Sequence, residues 1–543
     1  MSSVSKPIDI LGALDESQRE AAMTLKGPLA IIAGAGSGKT RTISHRIAYG
    51  IATGAFTESR VLALTYTNRA AAELRTRLRQ LGASGVAVRT FHSAALAQLQ
   101  FFWPQLTENF APKLVTQKGP MISEVLDSMG IRLTEQERFG LQAEVEFLRY
   151  AMLDLERYIE LERPELALNP ERFVEFFKSY ALLKQKKRVV DWEDAILLTV
   201  GMLRNESRML SHVQQQYRFF TVDEYQDISP LQQALLETWL GERDELCVVG
   251  DPRQTIYSFA GATSEFLLGF QDSFPNASVV ELDRNYRSSQ EIVSLANRIA
   301  PAAPLVATRQ VSAKPKLKSY PTTASEARDV AIQIEEFLKT QNARDIAILA
   351  RTNAQLVGIE KELQSLGIET QLRGAGRFFR RPEVMQAYSA IRALKTTALE
   401  EPLFIEVSKI LSALGWSSKA EPGPRWEALN WFTTILDDLG DISLEEYLRE
   451  LDDWERSGHE PQREAVTLAT IHATKGLEWH SVFLIGCNQG IFPIGYAKTE
   501  SDLAEERRLF YVAVTRAQNF LQISYSEQKG PSEFIDLVGS RNS

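Results

Sequence analysis

The chain has 543 residues, of which 44% are hydrophobic and 24% are charged, a balance typical of folded proteins rather than disordered ones. A chain of this length is too long for one compact core and predicts several domains. With 61 basic and 70 acidic residues, the formal net charge is −9. That charge disfavours a protein that holds nucleic acid by bulk charge, but it allows a groove lined locally with Lys and Arg.

The sequence also disfavours a membrane protein or a secreted protein. No apolar segment approaches the ~20 residues of a membrane-spanning helix. The first residues, MSSVSKPIDILGAL, lack the apolar stretch of a secretory signal. Two cysteines, Cys247 and Cys487, can form neither a disulfide framework nor a four-cysteine zinc site. The predicted location is therefore cytoplasmic, with no membrane partner.

Short apolar segments recur along the chain, and each is followed by a polar turn or a helical pattern. They are LAIIA (29–33), VLALT (61–65), FFTV (219–222), LCVV (246–249), IAILA (346–350) and VFLIG (482–486). Apolar strands that alternate with helices are typical of parallel sheets covered on both faces. Because the segments fall into two sets, the sequence predicts an α/β fold with two parallel-sheet cores, each interrupted by a mainly helical insertion.

A glycine-rich turn follows the first of these segments. The strand LAIIA leads into AGAGSGKT (33–40) and then into a helical pattern, which is the context of a phosphate-binding loop. Gly36 and Gly38 would let backbone N–H groups approach phosphates, Lys39 would neutralise the outer phosphates, and the Thr40 hydroxyl would hold Mg²⁺. An ordinary strand-to-helix turn is the alternative. The candidate nucleotide-binding residues here are Ala35, Gly36, Ser37, Gly38, Lys39 and Thr40.

Two acidic residues stand where the strand FFTV ends. VDEYQD places Asp223 and Glu224 at this point. An Asp would reach Mg²⁺ through water, and the adjacent Glu could accept the proton of an attacking water. The alternative is a pair of helix-capping carboxylates, which are common at such turns. Because the chain also has a predicted phosphate-binding loop with Lys39, nucleotide hydrolysis is the favoured interpretation.

A series of motifs, in a fixed order from Leu14 to about Ser524, resembles the superfamily 1 DNA helicases of the UvrD/PcrA/Rep group. The matching segments are LDESQREA, TYTNRAAAELRTRL, RTFHSAA, VDEYQD, VGDPRQTIYSFAGA, LDRNYRSSQEIV, AILARTNAQ with RGAGRFFRRPEV, TLATIHATKGLEWHSVFLIG, and EERRLFYVAVTRA. The second insertion is shorter than in the larger members. In this respect the chain is most similar to the second UvrD-type branch of actinobacteria.

The resemblance implies two RecA-like cores. The first core is predicted to comprise residues 1–92 and 206–280, with a helical insertion at 93–205. The second core is predicted to comprise residues 281–382 and 464–543, with a shortened helical insertion at 383–463.

The resemblance also implies roles around the nucleotide. The residues implied to contact the adenosine are Gln18, Arg41, Tyr286 and Glu478. Gln254 would sense the γ-phosphate, and Arg287 and Arg516 would act as arginine fingers that stabilise charge during phosphoryl transfer. For either arginine alone, a surface salt bridge is the alternative. The predicted catalytic residues are Lys39, Glu224, Gln254, Arg287 and Arg516, with Thr40 and Asp223 as metal ligands.

For DNA, the resemblance implies stacking of bases on aromatic side chains, which tolerates any sequence. The implied DNA-binding residues are Tyr66, Phe91, His92, Tyr257, Phe259, Arg373, Arg377 and Arg380. Core packing is the alternative for the aromatic residues, above all for Phe91. Phe259 stands where the family usually has Trp, and Ala260 where it usually has Arg. A second basic segment, KQKKR (184–188), is either a DNA contact or a solvated face.

The sequence therefore predicts an ATP- and Mg²⁺-dependent DNA helicase and single-stranded DNA translocase that acts on single strands and tailed duplexes, in DNA repair or replication maintenance. Its 3′→5′ polarity rests on the resemblance. A translocase that displaces bound proteins without processive unwinding would use the same residues and stays open. A small-molecule kinase would have no use for TYTNRAAAE, and a catalytically dead DNA-binding scaffold would not need all five catalytic residues.

Overall fold

The computed structural model describes residues 10–161, 167–310, 313–373, 378–396, 399, 401–420, 423–440, 442–456 and 463–539. The chain divides into two compact units, which comprise Met1–Gly34 with Gly38–Leu282, and Ala35–Ser37 with Asp283–Ser543. Within the described segments, no helix combines the length and apolar character that crossing a membrane requires.

The first unit is built on a six-stranded sheet. The strands of the whole unit are β1 (Leu29–Ala33), β2 (Val61–Thr65), β3 (Ala87–Thr90), β4 (Lys113–Leu114), β5 (Val189–Val190), β6 (Phe219–Val222), β7 (Leu246–Gly250) and β8 (Ser278–Leu282). The sheet order is β3–β2–β6–β7–β1–β8, all parallel, while β4 and β5 form a separate pair. Every residue of β2 and β7 is buried, because helices cover both faces of the sheet.

Helices connect these strands and form the first insertion. They are Glu16–Met23, Lys39–Ala52, Asn68–Gln80, Phe91–Thr107, Gly119–Ser128, Glu135–Tyr150, Leu155–Glu160, Pro170–Lys187, Trp192–Asn205, Ser207–Gln216, Pro230–Leu240, Glu265–Leu268 and Phe270–Ser273. The insertion has its own apolar core, in which the rings of Tyr158 and Phe173 stack with centroids 4.9 Å apart. A core of this kind gives the insertion a fixed shape.

The basic segment KQKKR takes part in this packing. Lys184 is buried, and its Nζ donates to Asp191 at 2.6 Å and to Asp194 at 2.5 Å. Lys187 forms an ion pair with Glu124. The Lys184 ammonium therefore stabilises the insertion rather than lying on a solvated face.

The second unit contains another six-stranded parallel sheet. The strands of the whole unit are β9 (Arg284–Asn285), β10 (Val306–Ala307), β11 (Lys316–Tyr320), β12 (Ile346–Ala350), β13 (Thr370–Leu372), β14 (Val466–Thr470), β15 (Trp479–Leu484) and β16 (Ala517–Ser526). The sheet order is β11–β16–β15–β12–β14–β13, and β9 pairs with β10. Two parallel sheets surrounded by helices confirm the predicted α/β class.

Helices of the second unit are Gln290–Ile299, Thr323–Phe337, Asn353–Ser365, Pro382–Ala393, Leu403–Ala413, Pro424–Leu439, Leu444–Arg456, Glu500–Val514 and Ile535–Val538. Those between β13 and β14 enclose a separate apolar core that includes Phe378, Tyr388 and Trp431. Phe378 and Trp431 pack edge to face, with centroids 4.9 Å apart. The helical segment between β13 and β14 is therefore held by its own aromatic packing.

Candidate nucleotide and DNA sites

The glycine-rich turn joins β1 to the helix Lys39–Ala52. Gly36 and Gly38 have φ angles of 69° and 81°, in the left-handed region that glycine adopts without strain. Lys39 Nζ donates to the Ala33 carbonyl oxygen at 3.1 Å, so the ammonium group lies over the turn. The backbone N–H groups at the start of the helix, together with this ammonium, form a site suited to a phosphate group.

Asp223 directly follows β6, and its side chain is buried. Burial and the neighbouring Glu224 carboxylate raise its pKa to about 7, while the Lys39 ammonium acts in the opposite direction. Lys39 and Asp223 are therefore close enough to interact electrostatically. A buried carboxylate beside a like charge gains from a bound cation.

A magnesium ion fits this donor set. Mg²⁺ bound with a nucleotide takes one or two protein oxygens and completes its coordination with phosphates and waters. Asp223 supplies a carboxylate, and the half-buried Thr40 supplies a hydroxyl at the start of the adjacent helix. In the part of the chain that the structure describes, no three His, Cys, Asp or Glu side chains group as a closed metal site.

Glu224 has an unusual backbone conformation. Its φ of 53° lies in the left-handed region, which a residue other than glycine adopts at an energetic cost. The Gln226 amide Nε2 donates to Glu224 Oε2 at 2.5 Å, and Gln226 Oε1 accepts a hydrogen bond from the Asp251 backbone N–H at 3.0 Å. Gln226 is fully buried. It therefore ties the Glu224 carboxylate to the end of β7.

The same network includes Gln254. Its amide Nε2 donates to Asp251 Oδ2 at 2.8 Å, while Arg253 Nε donates to Asp251 Oδ1 at 2.8 Å. Gln254 and Asp251 are both buried. Hydrogen bonds thus connect Gln254 to Asp251, and through Gln226 to Glu224, so the predicted γ-phosphate sensor and the predicted base belong to one network.

Three predicted DNA-binding aromatic residues form a row in the first unit. The Tyr66 and Tyr257 rings stack with centroids 5.2 Å apart and planes at 16°. The Phe259 ring follows, 6.2 Å from that of Tyr257, and it is 51% exposed. Burial and the Glu224 carboxylate raise the pKa of Tyr257 to about 12, so Tyr257 lies within electrostatic range of the predicted hydrolytic base.

The rings of Phe91 and His92, which were also predicted to bind DNA, pack against other residues than those of this row. The buried Phe91 ring stacks on Trp239 in the core, with centroids 6.2 Å apart, and offers no exposed face to a base. The half-buried His92 ring contacts the Tyr150 and Trp192 rings edge to face, at 5.9 Å and 5.6 Å. Burial and the Lys118 ammonium lower the pKa of His92 to about 4, so the imidazole is neutral at neutral pH.

Gln18 and Arg41, which the resemblance assigns to the adenine, lie near the phosphate loop. Gln18 forms a capping box with Asp15: its backbone N–H donates to Asp15 Oδ1 at 2.8 Å, and its Oε1 accepts from the Asp15 N–H at 3.3 Å. A Cβ atom on Gly38 would lie 2.8 Å from Gln18 Nε2, so the amide group borders the loop. Arg41 donates to the Ala13 carbonyl oxygen at 2.6 Å.

The two predicted arginine fingers converge within the second unit. Arg287 Nε donates to Glu478 at 2.5 Å, and its Nη1 donates to the Thr515 carbonyl oxygen at 3.2 Å. Arg516 is buried and donates to the Leu477 carbonyl oxygen at 3.0 Å. Although burial acts to raise it, the pKa of Glu478 is lowered by Arg287, and further by Gln518 and Arg516. Glu478 thus holds Arg287 in place here.

Four other residues were assigned to this unit, and the three that the structure describes differ in exposure. The Tyr286 ring is 42% exposed and so can stack on a planar group. Arg373 is buried, and its backbone N–H donates to the Leu468 carbonyl oxygen at 2.8 Å. Arg380 is exposed, while Arg377 lies outside the described residues. Arg380 is the described member of this cluster with an exposed side chain.

Comparison with known proteins identifies the family of this chain. Residues 14–275 match the UvrD/REP helicase N-terminal domain, and residues 280–398 and 389–528 match the UvrD-like helicase C-terminal domain. The chain belongs to the UvrD/Rep helicase family. It is 36% identical to the ATP-dependent DNA helicase UvrD2 of Mycobacterium tuberculosis, over 98% of this chain and 81% of that protein.

Two further relatives of this UvrD/Rep-family chain are named ATP-dependent DNA helicase PcrA. The PcrA of Leuconostoc citreum is 27% identical over 97% of this chain and 85% of its own length. That of Bacillus subtilis is 26% identical over 96% of this chain and 84% of its own length. These matches confirm the predicted resemblance.

Within the family motifs, the sequence interpretation missed Gln226 and Asp251. Both lie inside segments that it singled out, VDEYQD and VGDPRQT, but their amide and carboxylate carry no charge pattern that distinguishes them from structural residues. Their connection depends on β6 and β7 being neighbours in the sheet. That pairing joins residues that are distant in sequence.

Gln226→Leu is expected to lower the ATPase kcat roughly 2- to 10-fold, because one hydrogen bond to Glu224, the predicted base, contributes about 1 kcal/mol. KM for ATP should change less, because Gln226 contacts Glu224 and Asp251 rather than the phosphate loop. Steady-state kinetics measures both constants. Gln233→Leu is the control, because that amide bonds to Tyr225 and Glu237 instead. An equal loss in the control would contradict the role of Gln226.

Proposed function

We propose that the protein is an ATP- and Mg²⁺-dependent DNA helicase that moves 3′→5′ along single-stranded DNA, in DNA repair or replication maintenance. The observation that carries the proposal is the position of the aromatic row. Tyr66, Tyr257 and Phe259 follow one another, and Tyr257 lies within electrostatic range of Glu224. A strand stacked on this row would therefore lie within electrostatic range of the proposed hydrolytic base.

The residues of the site have complementary tasks in this reaction. Lys39 and the backbone N–H groups of the loop would hold the β- and γ-phosphates, and Glu224 would accept the proton of the attacking water. Thr40 and Asp223 would hold Mg²⁺, which when bound neutralises charge on the phosphates. Gln254 would sense the γ-phosphate. Arg287 and Arg516 remain the proposed arginine fingers.

Stacking explains how such a motor could grip any sequence. Base–aromatic stacking contributes about 1–3 kcal/mol per base and does not require hydrogen bonds to base edges. A side chain that is half exposed, like that of Phe259, can offer a ring face to a base while it also contacts the tilted Tyr257 ring, with the centroids 6.2 Å apart. The net charge of −9 does not oppose this mode of binding, because stacking does not depend on bulk charge.

The function is tested first by the steady-state ATPase rate with and without a single-stranded oligonucleotide, at low and moderate salt. Strong stimulation is expected. Unwinding of a duplex with a 3′ tail, but not of one with a 5′ tail, would support both the helicase activity and its polarity. Displacement of streptavidin from a biotinylated strand without unwinding would instead favour the protein-displacing translocase. ATP hydrolysis that DNA does not stimulate would contradict both.

Phe259→Ala is expected to weaken oligonucleotide binding roughly 5- to 150-fold, the equivalent of about 1–3 kcal/mol for one stacked base. The DNA concentration that half-maximally stimulates the ATPase should rise in parallel. Phe139→Ala is the matched control, because Phe139 is 75% exposed and lies in the helix Glu135–Tyr150. A loss in DNA-free hydrolysis equal to the loss in DNA binding would mean that Phe259 is a packing residue.

A further inference from the structure

The carboxyl end of the helix Glu135–Tyr150, in the first insertion, meets a predicted DNA-binding segment. The Tyr150 hydroxyl oxygen lies 2.8 Å from His92 Nε2, a hydrogen-bond distance. The two rings also meet edge to face, with centroids 5.9 Å apart. The orientation of the His92 ring is therefore set by a residue of the insertion.

The same tyrosine contacts the turn that carries the aromatic row. Gly261, with a φ of 87°, closes the turn that follows Tyr257 and Phe259, and its N–H donates to the Ser258 carbonyl oxygen at 2.9 Å. A Cβ atom on Gly261 would lie 3.0 Å from Tyr150 Cβ and 3.3 Å from the Ala151 nitrogen. The turn thus packs directly against the end of the helix.

A buried ion-pair cluster fixes the helix in this position. Lys118 Nζ donates to both Glu193 carboxylate oxygens, at 2.9 Å and 2.8 Å, and to Glu146 at 2.8 Å. Glu146 lies one turn before Tyr150 on the same helix, and Glu193 follows Trp192, whose ring contacts His92. Burial and these two carboxylates raise the pKa of Tyr150, so its hydroxyl keeps its proton at neutral pH.

We propose that Tyr150 is a positioning residue for single-stranded DNA, which holds His92 through its hydroxyl and the Tyr257–Gly261 turn through its backbone and Cβ. The proposal rests on the proposed function and extends it. It means that the insertion, through one residue, sets the relative positions of two segments that would contact the same strand. Movement of the insertion would then change the grip on DNA.

Tyr150→Phe removes only the hydroxyl and keeps the backbone and the Cβ atom that pack against the turn. It is expected to weaken binding of a fluorescent oligothymidylate about 3- to 10-fold by anisotropy, because the hydroxyl's hydrogen bonds to His92 and Glu193 are lost. The oligonucleotide concentration for half-maximal ATPase stimulation should rise by the same factor, a larger change than in the maximal rate. Tyr158→Phe is the matched control, because Tyr158 is a buried tyrosine of the same insertion whose hydroxyl bonds to Glu144 instead.

A double-mutant cycle shows whether Tyr150 acts through His92. If it does, Tyr150→Phe should add less than about 2-fold to the loss seen in His92→Leu. Unchanged DNA affinity in Tyr150→Phe, an equal loss in Tyr158→Phe, or fully additive losses would overturn the proposal. Wild-type protein that neither binds the oligonucleotide nor is stimulated by it would overturn the proposed function itself, and this outcome needs no variant.

Discussion

Glu224→Gln is expected to lower the DNA-stimulated ATPase kcat about 10²- to 10⁴-fold, the usual contribution of a general base. Gln keeps the size of the side chain but cannot accept the proton of the attacking water. ATP binding should persist, because Lys39 and the backbone of the phosphate loop are unchanged. The measurement pairs steady-state kinetics with binding of a fluorescent ATP analogue, so that a loss of chemistry is separated from a loss of affinity.

Two further variants serve as a comparison and a control for Glu224→Gln. Lys39→Ala should also abolish turnover but should weaken nucleotide binding as well, because it removes the ammonium group that lies over the turn. Glu242→Gln changes an exposed glutamate in the same unit and should behave as wild type. Turnover retained in Glu224→Gln would mean that another group activates the water, and the assignment of Glu224 would be wrong.

The fold was predictable where strands are apolar throughout. β1, β2, β6, β7 and β12 occur at the predicted segments, and β15 occurs at Trp479–Leu484 rather than at 482–486. Strands at the sheet edges were not predicted. Their side chains are partly exposed to solvent, so polar residues interrupt the apolar pattern that was used to find strands. In β8 and β11 most residues are not buried, so their sequences lack a continuous apolar run.

β16 was missed for a different reason. It lies inside the sheet, yet it contains Gln522 and Ser524, whose side chains are buried. The Ser524 hydroxyl donates to Glu326 at 2.5 Å, which compensates for its burial. Glu326 is far away in sequence, so only the folded structure shows that a polar residue is acceptable at this position of the sheet.

The site was predictable to the extent that its chemistry is local. The phosphate loop and the Asp223–Glu224 pair are read from short segments, because strand, turn and charged residues are adjacent in sequence. Burial was harder to predict: Phe91 and Arg373 belong to matching motifs, yet their side chains lie inside the protein. Tyr150 lies outside every motif, and its contact with His92 depends on how the insertion packs.

The buried cluster around Lys118 provides the strongest test of that packing. Although burial acts against its charged form, Glu193, Glu146 and Asp191 raise the pKa of Lys118, so the ammonium stays charged across the neutral range. Lys118 and Glu193 are both buried. Removing one partner of such a pair leaves the other charge buried without compensation, which is the costly case for ion pairs in a protein interior.

Lys118→Met is therefore expected to lower the free energy of unfolding of the first unit by about 3–5 kcal/mol, far more than the loss of a surface ion pair. Urea unfolding followed by tryptophan fluorescence measures the change. Lys187→Met removes an exposed pair with Glu124 in the same insertion and should cost less than about 1 kcal/mol. Equal effects in the two variants would show that the Lys118 cluster is no more important than a surface pair. A large effect confined to Lys118→Met, accompanied by weaker DNA binding, would mean that the buried charges hold the insertion, and with it Tyr150, in the position that the DNA-binding segments require.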